Sequence, residues 1–77
     1  MYKEEILSIV CDITNNKKIQ YDTNLLENVL VDSLEILRII IEIEEKYSIK
    51  FDMFSLDMKE FESVNKISNL VSSMKTQ

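Results

Sequence analysis

Apolar residues recur at helical spacing in three stretches of the chain, and each stretch predicts an amphipathic helix. The first runs from about residue 2 to 14, with one apolar face made of Tyr2, Ile6, Ile9, Val10 and Ile13. The second runs from about 33 to 47, and its start is marked by Asp32 and Ser33, two residue types that cap helices. The third follows Ser63, with a stripe of Val64, Ile67, Leu70, Val71 and Met74.

The segments between these helices are polar or short. After the first helix, turn chemistry comes from Asn15, Asn16, Asp22 and Asn24. The apolar residues expected to pin this long loop to the core are Ile19, Tyr21, Leu25 and Leu26. Further on, Asp57 has capping-box spacing to Glu60 and predicts a short helix ending near Phe61. The pattern therefore predicts an all-α fold: a small four-helix bundle with a long first loop and a short third helix, as a single domain over residues 1–77.

Helix two has apolar residues on two sides. Its core stripe consists of Ile36, Ile39, Ile40, Ile43 and Tyr47. Leu34 and Ile41 point about 150° away from that stripe, with Leu37 on the flank. The charged residues on this outer side include Glu35, Arg38, Glu42 and Glu45. Two interpretations stay open: helix three or four covers the outer apolar residues, or they form a protein-binding surface rimmed by carboxylates. The position of Glu44 at the edge of the core stripe has no explanation in the pattern.

Composition excludes most enzyme classes. The 77 residues include no histidine, no glycine and a single cysteine. Histidine-dependent nucleophilic catalysis, glycine-rich phosphate loops and disulfides are therefore absent, and no metal site is expected. Cys11, which the helical projection places off the apolar face, is expected to be a reduced thiol without a special role. The chain is expected to carry or bind something, not to be an enzyme.

Charge and hydropathy narrow the partners and the compartment. The formal net charge is −5, and residues 22–62 hold eleven acidic against four basic residues. This concentration of acid argues against nucleic acid as a partner. Two interpretations stay open: the charge favours a basic protein surface as partner, or it only keeps a small protein in solution. Glu4 and Glu5 stand where a signal peptide has basic residues, and the apolar run Ile39-Ile40-Ile41 is far too short for a membrane span. We expect a cytoplasmic monomer without membrane insertion.

The motif Asp32-Ser33-Leu34 becomes informative in its context. The stretch NLLENVLVDSLEILRIIIEIEEKYSIKF, residues 24–51, resembles the acyl carrier protein family: an apolar loop end leads into DSL and a helix that closes on IEEKY. Leu56-Asp57 and EFESV, residues 60–64, resemble the family's third-helix and fourth-helix signature. The resemblance covers the whole chain in length and helix order, and it is specific over residues 24–67.

That resemblance implies a definite chemistry. A phosphopantetheinyl transferase would esterify Ser33 with phosphopantetheine from coenzyme A, using magnesium, and Asp32 would help to present the site. The arm's thiol would hold an acyl or aminoacyl group as a thioester, and activating and transferring enzymes with basic docking surfaces would be the further partners. The residues implied for partner docking are Leu34, Glu35, Leu37, Ile41, Glu42 and Glu45.

The chain also departs from the family. A glycine usually stands two or three positions before the aspartate, where this chain has Leu30 and Val29, and Asn28 is the nearby residue suited to a left-handed backbone. Arg38 occupies a position on the docking helix that is often acidic. We expect a specialised free-standing carrier whose cargo is a fatty acyl, short acyl or amino acid group, the last as in D-alanyl carriers. The alternative is an acidic helical adaptor that binds a basic partner through helix two without a prosthetic group.

Overall fold

The computed structural model describes residues 2–27, 32–52 and 54–75, and of Ser33 the backbone alone. The elements are α1 (Lys3–Thr14), α2 (Ser33–Tyr47), a single 3-10 turn (Met58–Phe61) and α3 (Val64–Lys75). Helix α1 packs against both α2 and α3. Within those ranges the fold is all-helical and contains no strand. No helix in them is both long and apolar enough to cross a bilayer.

The described residues contain three α-helices, so the predicted count of four is not confirmed. The short helix expected after Asp57 is a 3-10 turn, in which Glu60 N–H and Glu62 N–H donate to carbonyls three residues earlier. The Asp57 carboxylate accepts from the N–H of Lys59, 2.9 Å away, and starts this turn. Ser63 then caps a new helix by accepting from the N–H of Lys66. Because this second start follows at once, the turn has no room to become α-helical.

One apolar core holds the helices together. It contains the predicted stripe of α2 and the most deeply placed residues of α1 and α3, and its members are Ile6, Val10, Ile19, Leu25, Ile36, Ile39, Ile40, Ile43, Tyr47, Phe51, Phe61, Val64, Ile67 and Val71. Two aromatic pairs pack within or against this core. Phe51 and Phe61 meet edge-to-face at 5.6 Å, and Tyr2 and Tyr47 do so at 5.1 Å. The amphipathic patterns of all three helices are thereby confirmed.

The loop after α1 is fastened to the start of α3. Leu25 N–H donates to the Glu62 carbonyl at 2.6 Å, and Asn65 N–H donates to the Tyr21 carbonyl at 3.0 Å. Ile19 and Leu25 are buried, but Leu26 is exposed, so its expected role as a core anchor is wrong. The Asn24 side chain accepts from the N–H of Leu26, a local turn that directs the chain away from the core.

Asparagine and serine take backbone positions that glycine usually fills. Asn15 ends α1 with φ of 53°, and Ser48 ends α2 with φ of 54°, both in the left-handed region. Each N–H there donates back to a carbonyl of its own helix, so both helix ends are capped. The absence of glycine from the sequence is thus accommodated at these two ends.

Cys11 is placed differently from the prediction. It is half-buried and packs against the core, with its Sγ 3.9 Å from the Ile19 carbonyl oxygen. Burial raises the pKa of the Cys11 thiol, and the neighbouring Asp12 charge adds to the effect. The projection of α1 missed this because the loop, rather than another helix, covers that side.

Candidate functional site

The start of α2 is set by a reciprocal cap between Asp32 and Glu35. Glu35 N–H donates to Asp32 Oδ1 at 2.9 Å, and Asp32 N–H donates to Glu35 Oε1 at 3.2 Å. The Asp32 carbonyl accepts the first helical bond, from Ile36 N–H at 3.0 Å. These bonds make Ser33 the first residue of the helix. The Asn28, Val29 and Leu30 positions discussed above lie outside the described residues.

The start of α2 lies at the protein surface. Asp32 and Leu34, the neighbours of Ser33 on either side, are both exposed. The fifteen residues of α2 direct the positive end of the helix dipole to this point. A negatively charged group is favoured there, although the two capping carboxylates reduce the effect.

The outer face of α2 is uncovered. Leu34 is 73% exposed, and Leu37 and Ile41 are each 44% exposed. Arg38, Glu42 and Glu45 are exposed beside them. Of the two interpretations of these apolar residues, coverage by another helix is therefore wrong. Together these six residues are called here the α2 outer face.

Glu35 differs from the other acids predicted for docking. The residue is half-buried, and its carboxylate is engaged in the cap with Asp32. The sequence analysis predicted only a partner-binding role for Glu35. An acid three residues after an N-cap aspartate is, however, a recognisable capping signal. The observed bond assigns Glu35 a structural role at the helix start.

The two flanks of the α2 outer face are unlike each other. On the α1 side lies an open groove of about 240 Å³ lined by Ile9, Asp12, Ile13, Arg38 and Glu42. Lys46 lies 3.9 Å from Glu5 on that same side. On the opposite flank, Glu44 Oε2 accepts from the N–H of Phe51 at 2.8 Å. This bond explains Glu44, because its carboxylate holds the segment that follows α2.

The described ranges contain no group of three or more histidine, cysteine or acidic side chains arranged to hold a metal ion.

Comparisons with known proteins agree with this geometry. The family model described as "Phosphopantetheine attachment site" matches residues 4–71. A D-alanyl carrier protein from Lacticaseibacillus rhamnosus is 28% identical over 67 residues, which is 84% of this chain and 83% of that relative. The solution NMR structure of a holo acyl carrier protein from Nitrosomonas europaea superimposes with a TM-score of 0.84 at 20% identity, covering 100% of this chain and 99% of that one. At such identity the structural likeness concerns the fold alone.

The family match spans most of the chain, including the capped helix start and the α2 outer face. It accounts for a chain with no histidine and no glycine, since such a carrier takes its chemistry from an attached group and supplies recognition itself. The chain therefore belongs to the phosphopantetheine-attachment family and is a non-enzymatic carrier of acyl or aminoacyl groups on a covalent phosphopantetheine arm.

Proposed function

We propose that Ser33 is the residue that bears the arm and that the α2 outer face presents the loaded arm to partner enzymes. The observation that carries this proposal is the reciprocal Asp32–Glu35 cap, which makes Ser33 the first residue of an exposed helix start. The residues on either side of Ser33, Asp32 and Leu34, are exposed, which supports access of an enzyme to this helix start.

The attachment step is a phosphoryl transfer. The Ser33 hydroxyl oxygen bonds to the phosphorus that carries pantetheine in coenzyme A. The pyrophosphate bond breaks, adenosine 3′,5′-bisphosphate leaves, and the hydroxyl proton passes to the transferase or to water. Asp32 lies next to this centre and supports it in two ways: its carboxylate fixes the helix start, and it adds negative charge for the magnesium ion of the transferase.

The partners are a phosphopantetheinyl transferase and the enzymes that activate or accept the cargo. The apolar residues of the α2 outer face, Leu34, Leu37 and Ile41, supply contact area, while Glu42 and Glu45 attract basic docking surfaces. Exposed Arg38 adds one positive charge to the α2 outer face and selects for partners that carry an acidic residue opposite it. The partners, like the cytoplasmic location expected from the sequence, stay predictions.

Among the cargo classes that the sequence leaves open, an amino acid is the one we propose. The support is the likeness to a D-alanyl carrier protein over most of both chains. An amino acid thioester is small and polar, so it needs no apolar cavity in the carrier. D-Alanine is the specific cargo to test first.

Intact mass measures the attachment directly. The protein is incubated with coenzyme A, magnesium and a promiscuous phosphopantetheinyl transferase, beside Ser33→Ala and the control Ser8→Ala, which removes an exposed hydroxyl from α1. We expect one phosphopantetheinyl group on the wild type and on Ser8→Ala, and none on Ser33→Ala. A folded wild type that stays unmodified both here and when purified from its native host would overturn the proposal in favour of the adaptor.

The cargo is identified on protein purified from its native host. Hydroxylamine cleaves thioesters, so it should release the bound group, which chiral chromatography then identifies. D-Alanine hydroxamate is the expected product. Release of a fatty acyl hydroxamate would overturn the cargo assignment and leave the attachment at Ser33 standing.

A further inference from the structure

The segment between α2 and the 3-10 turn holds a phenylalanine with no contact to the core. Phe54 is 102% exposed, as accessible as in an extended chain, and Met58, four residues later, is 45% exposed. Leaving a phenyl ring in water is unfavourable relative to burying it. Fully exposed aromatic side chains are the type that anchor protein interfaces when a partner covers them.

Phe54 is held outward by a defined turn. The Asp52 side chain accepts from Phe54 N–H at 3.0 Å, and the Asp52 carbonyl accepts from Ser55 N–H at 3.1 Å. One residue before this turn, Phe51 is fastened to α2 by Glu44 and packs on Phe61. The ring of Phe54 is therefore presented from a segment anchored at its base.

The anchored segment lies on the flank of α2 that carries the apolar residues. At about 100° per residue, Glu44 projects close to Leu37, and Ile41 lies between them and the centre of the outer face. Since Glu44 binds Phe51, the base of this segment lies on the Leu37 side of α2. Glu44 is eleven residues after Ser33, which is about 16 Å along the axis at 1.5 Å per residue. An enzyme working at Ser33 and lying along α2 would reach this segment.

The charges around Phe54 indicate the chemistry of the partner. Asp52 and Asp57 are both exposed, and neither forms an ion pair with a cation in the part of the chain that the structure describes. They have the same sign of charge as exposed Glu45 on the α2 outer face. The complementary surface is an apolar pocket ringed by lysine or arginine.

We infer that Phe54 anchors the apo protein to its phosphopantetheinyl transferase, inserting into an apolar pocket with a basic rim. The transferase is the occupant because it meets the protein before the arm exists. Its recognition must therefore rest wholly on the protein surface, whereas later enzymes can also bind the arm and its cargo. This inference rests on the proposed attachment at Ser33 and adds a specificity-determining residue outside α2.

Steady-state kinetics of modification test the anchor. The phosphopantetheinyl transferase of the native host and coenzyme A are the probe, and the concentration of apo protein is varied for the wild type, Phe54→Ser, Phe54→Leu and the control Lys50→Ala. Because Phe54 touches no core residue, circular dichroism and melting should be unchanged in all variants. We expect Phe54→Ser to raise KM for the apo protein about tenfold, as for loss of an interface anchor. The value of kcat should change less than twofold.

Phe54→Leu should recover most of the loss because it restores an apolar side chain, and Lys50→Ala should behave as the wild type. An unchanged KM in Phe54→Ser would overturn the anchor, while the mass gain of the wild type would still support attachment at Ser33. A wild type that gains no mass would instead overturn the attachment itself. The two failures are therefore distinguishable in one experiment.

Discussion

The carboxylate of Glu44 accepts a 2.8 Å hydrogen bond from the backbone N–H of Phe51, seven residues further along the chain. The backbone carbonyl of Glu44 accepts a second bond, from Ile49 N–H at 3.1 Å. These two bonds turn the chain back along α2 after its last residue. Phe51 is thereby placed against Phe61, so a charged side chain fixes the position of a core aromatic.

Removing this acceptor should destabilise the fold. Glu44→Ala leaves the partly buried Phe51 N–H without its partner, which costs about 1–3 kcal/mol in the free energy of unfolding. Glu44→Gln keeps an acceptor oxygen and should cost less than half as much. Urea denaturation measures both, with exposed Glu45→Ala as the neighbouring control, expected within about 0.5 kcal/mol of the wild type. Equal effects at Glu44 and Glu45 would contradict the structural role.

Tyr47 should make stability fall in alkaline solution. Burial is the main cause that raises the pKa of Tyr47, and its 2.7 Å hydrogen bond to Glu5 adds to the shift. Above the ordinary tyrosine pKa of about 10, the unfolded chain loses this proton while the folded chain keeps it, so the unfolded state is favoured as pH rises. Below that pH the contribution is fully present.

Tyr47→Phe removes this titrating group and its hydrogen bond. At pH 7 we expect a loss of about 0.5–1.5 kcal/mol. Above about pH 10 the stability of Tyr47→Phe should decline less steeply with pH than that of the wild type. Denaturant midpoints at each pH measure this decline. The comparison variant is Tyr21→Phe, which changes a half-buried tyrosine elsewhere. Parallel decline of the wild type and Tyr47→Phe would rule out the assignment.

Two substitutions separate the structural and chemical roles of Asp32. Asp32→Asn keeps a side-chain oxygen that can accept from Glu35 N–H, so its stability should stay close to that of the wild type. Asp32→Ala loses the cap and about 0.5–2 kcal/mol. If the carboxylate helps the magnesium-dependent transferase, both variants are modified slowly. Normal rates in Asp32→Asn would limit Asp32 to capping.

Substitutions in the α2 outer face should weaken partner binding and change the free energy of unfolding little. Ile41→Ala should raise KM for the transferase several-fold, and its stability should fall by less than 1 kcal/mol because the side chain is nearly half exposed. Glu45→Lys should slow the association of the protein with the transferase, and the association rate should then depend less on salt concentration. The matched control is Glu4→Lys, the same charge change at an exposed position of α1. Equal effects of the two charge reversals would contradict a local docking surface.

Salt should stabilise the protein. Residues 22–62 carry a net charge of −7, and only two ion pairs form among the described residues, Lys46–Glu5 and Lys66–Glu62. Screening weakens the remaining repulsion among carboxylates, so Tm should rise between low salt and about 0.5 M sodium chloride. Differential scanning calorimetry measures this rise. A constant Tm would mean that the repulsion is the same in the folded and unfolded states.

The sequence by itself determined the three α-helices and their buried faces. Hydrophobic periodicity and helix capping are local properties of the sequence. Ile36, Ile39 and Ile43 lie on one face of any helix that contains them, and an aspartate such as Asp32 favours a helix start wherever the fold places it. For the same reason the outer apolar residues of α2 could be recognised, since their separation from the core stripe depends on helix geometry alone. The Asp32-Ser33-Leu34 motif indicated the family on similarly local evidence.

Only the tertiary structure decided what lies against each helix. Whether Leu34 and Ile41 are covered depends on where other elements pack, and the helix sequence does not contain that information. The same holds for Cys11, which a loop covers, for Leu26, which the chain turns outward, and for Glu44, whose partner is a backbone N–H beyond the end of its helix. The 3-10 turn before α3 likewise reflects competition between two neighbouring helix starts. These outcomes depend on contacts between segments distant in sequence, which local periodicity does not encode.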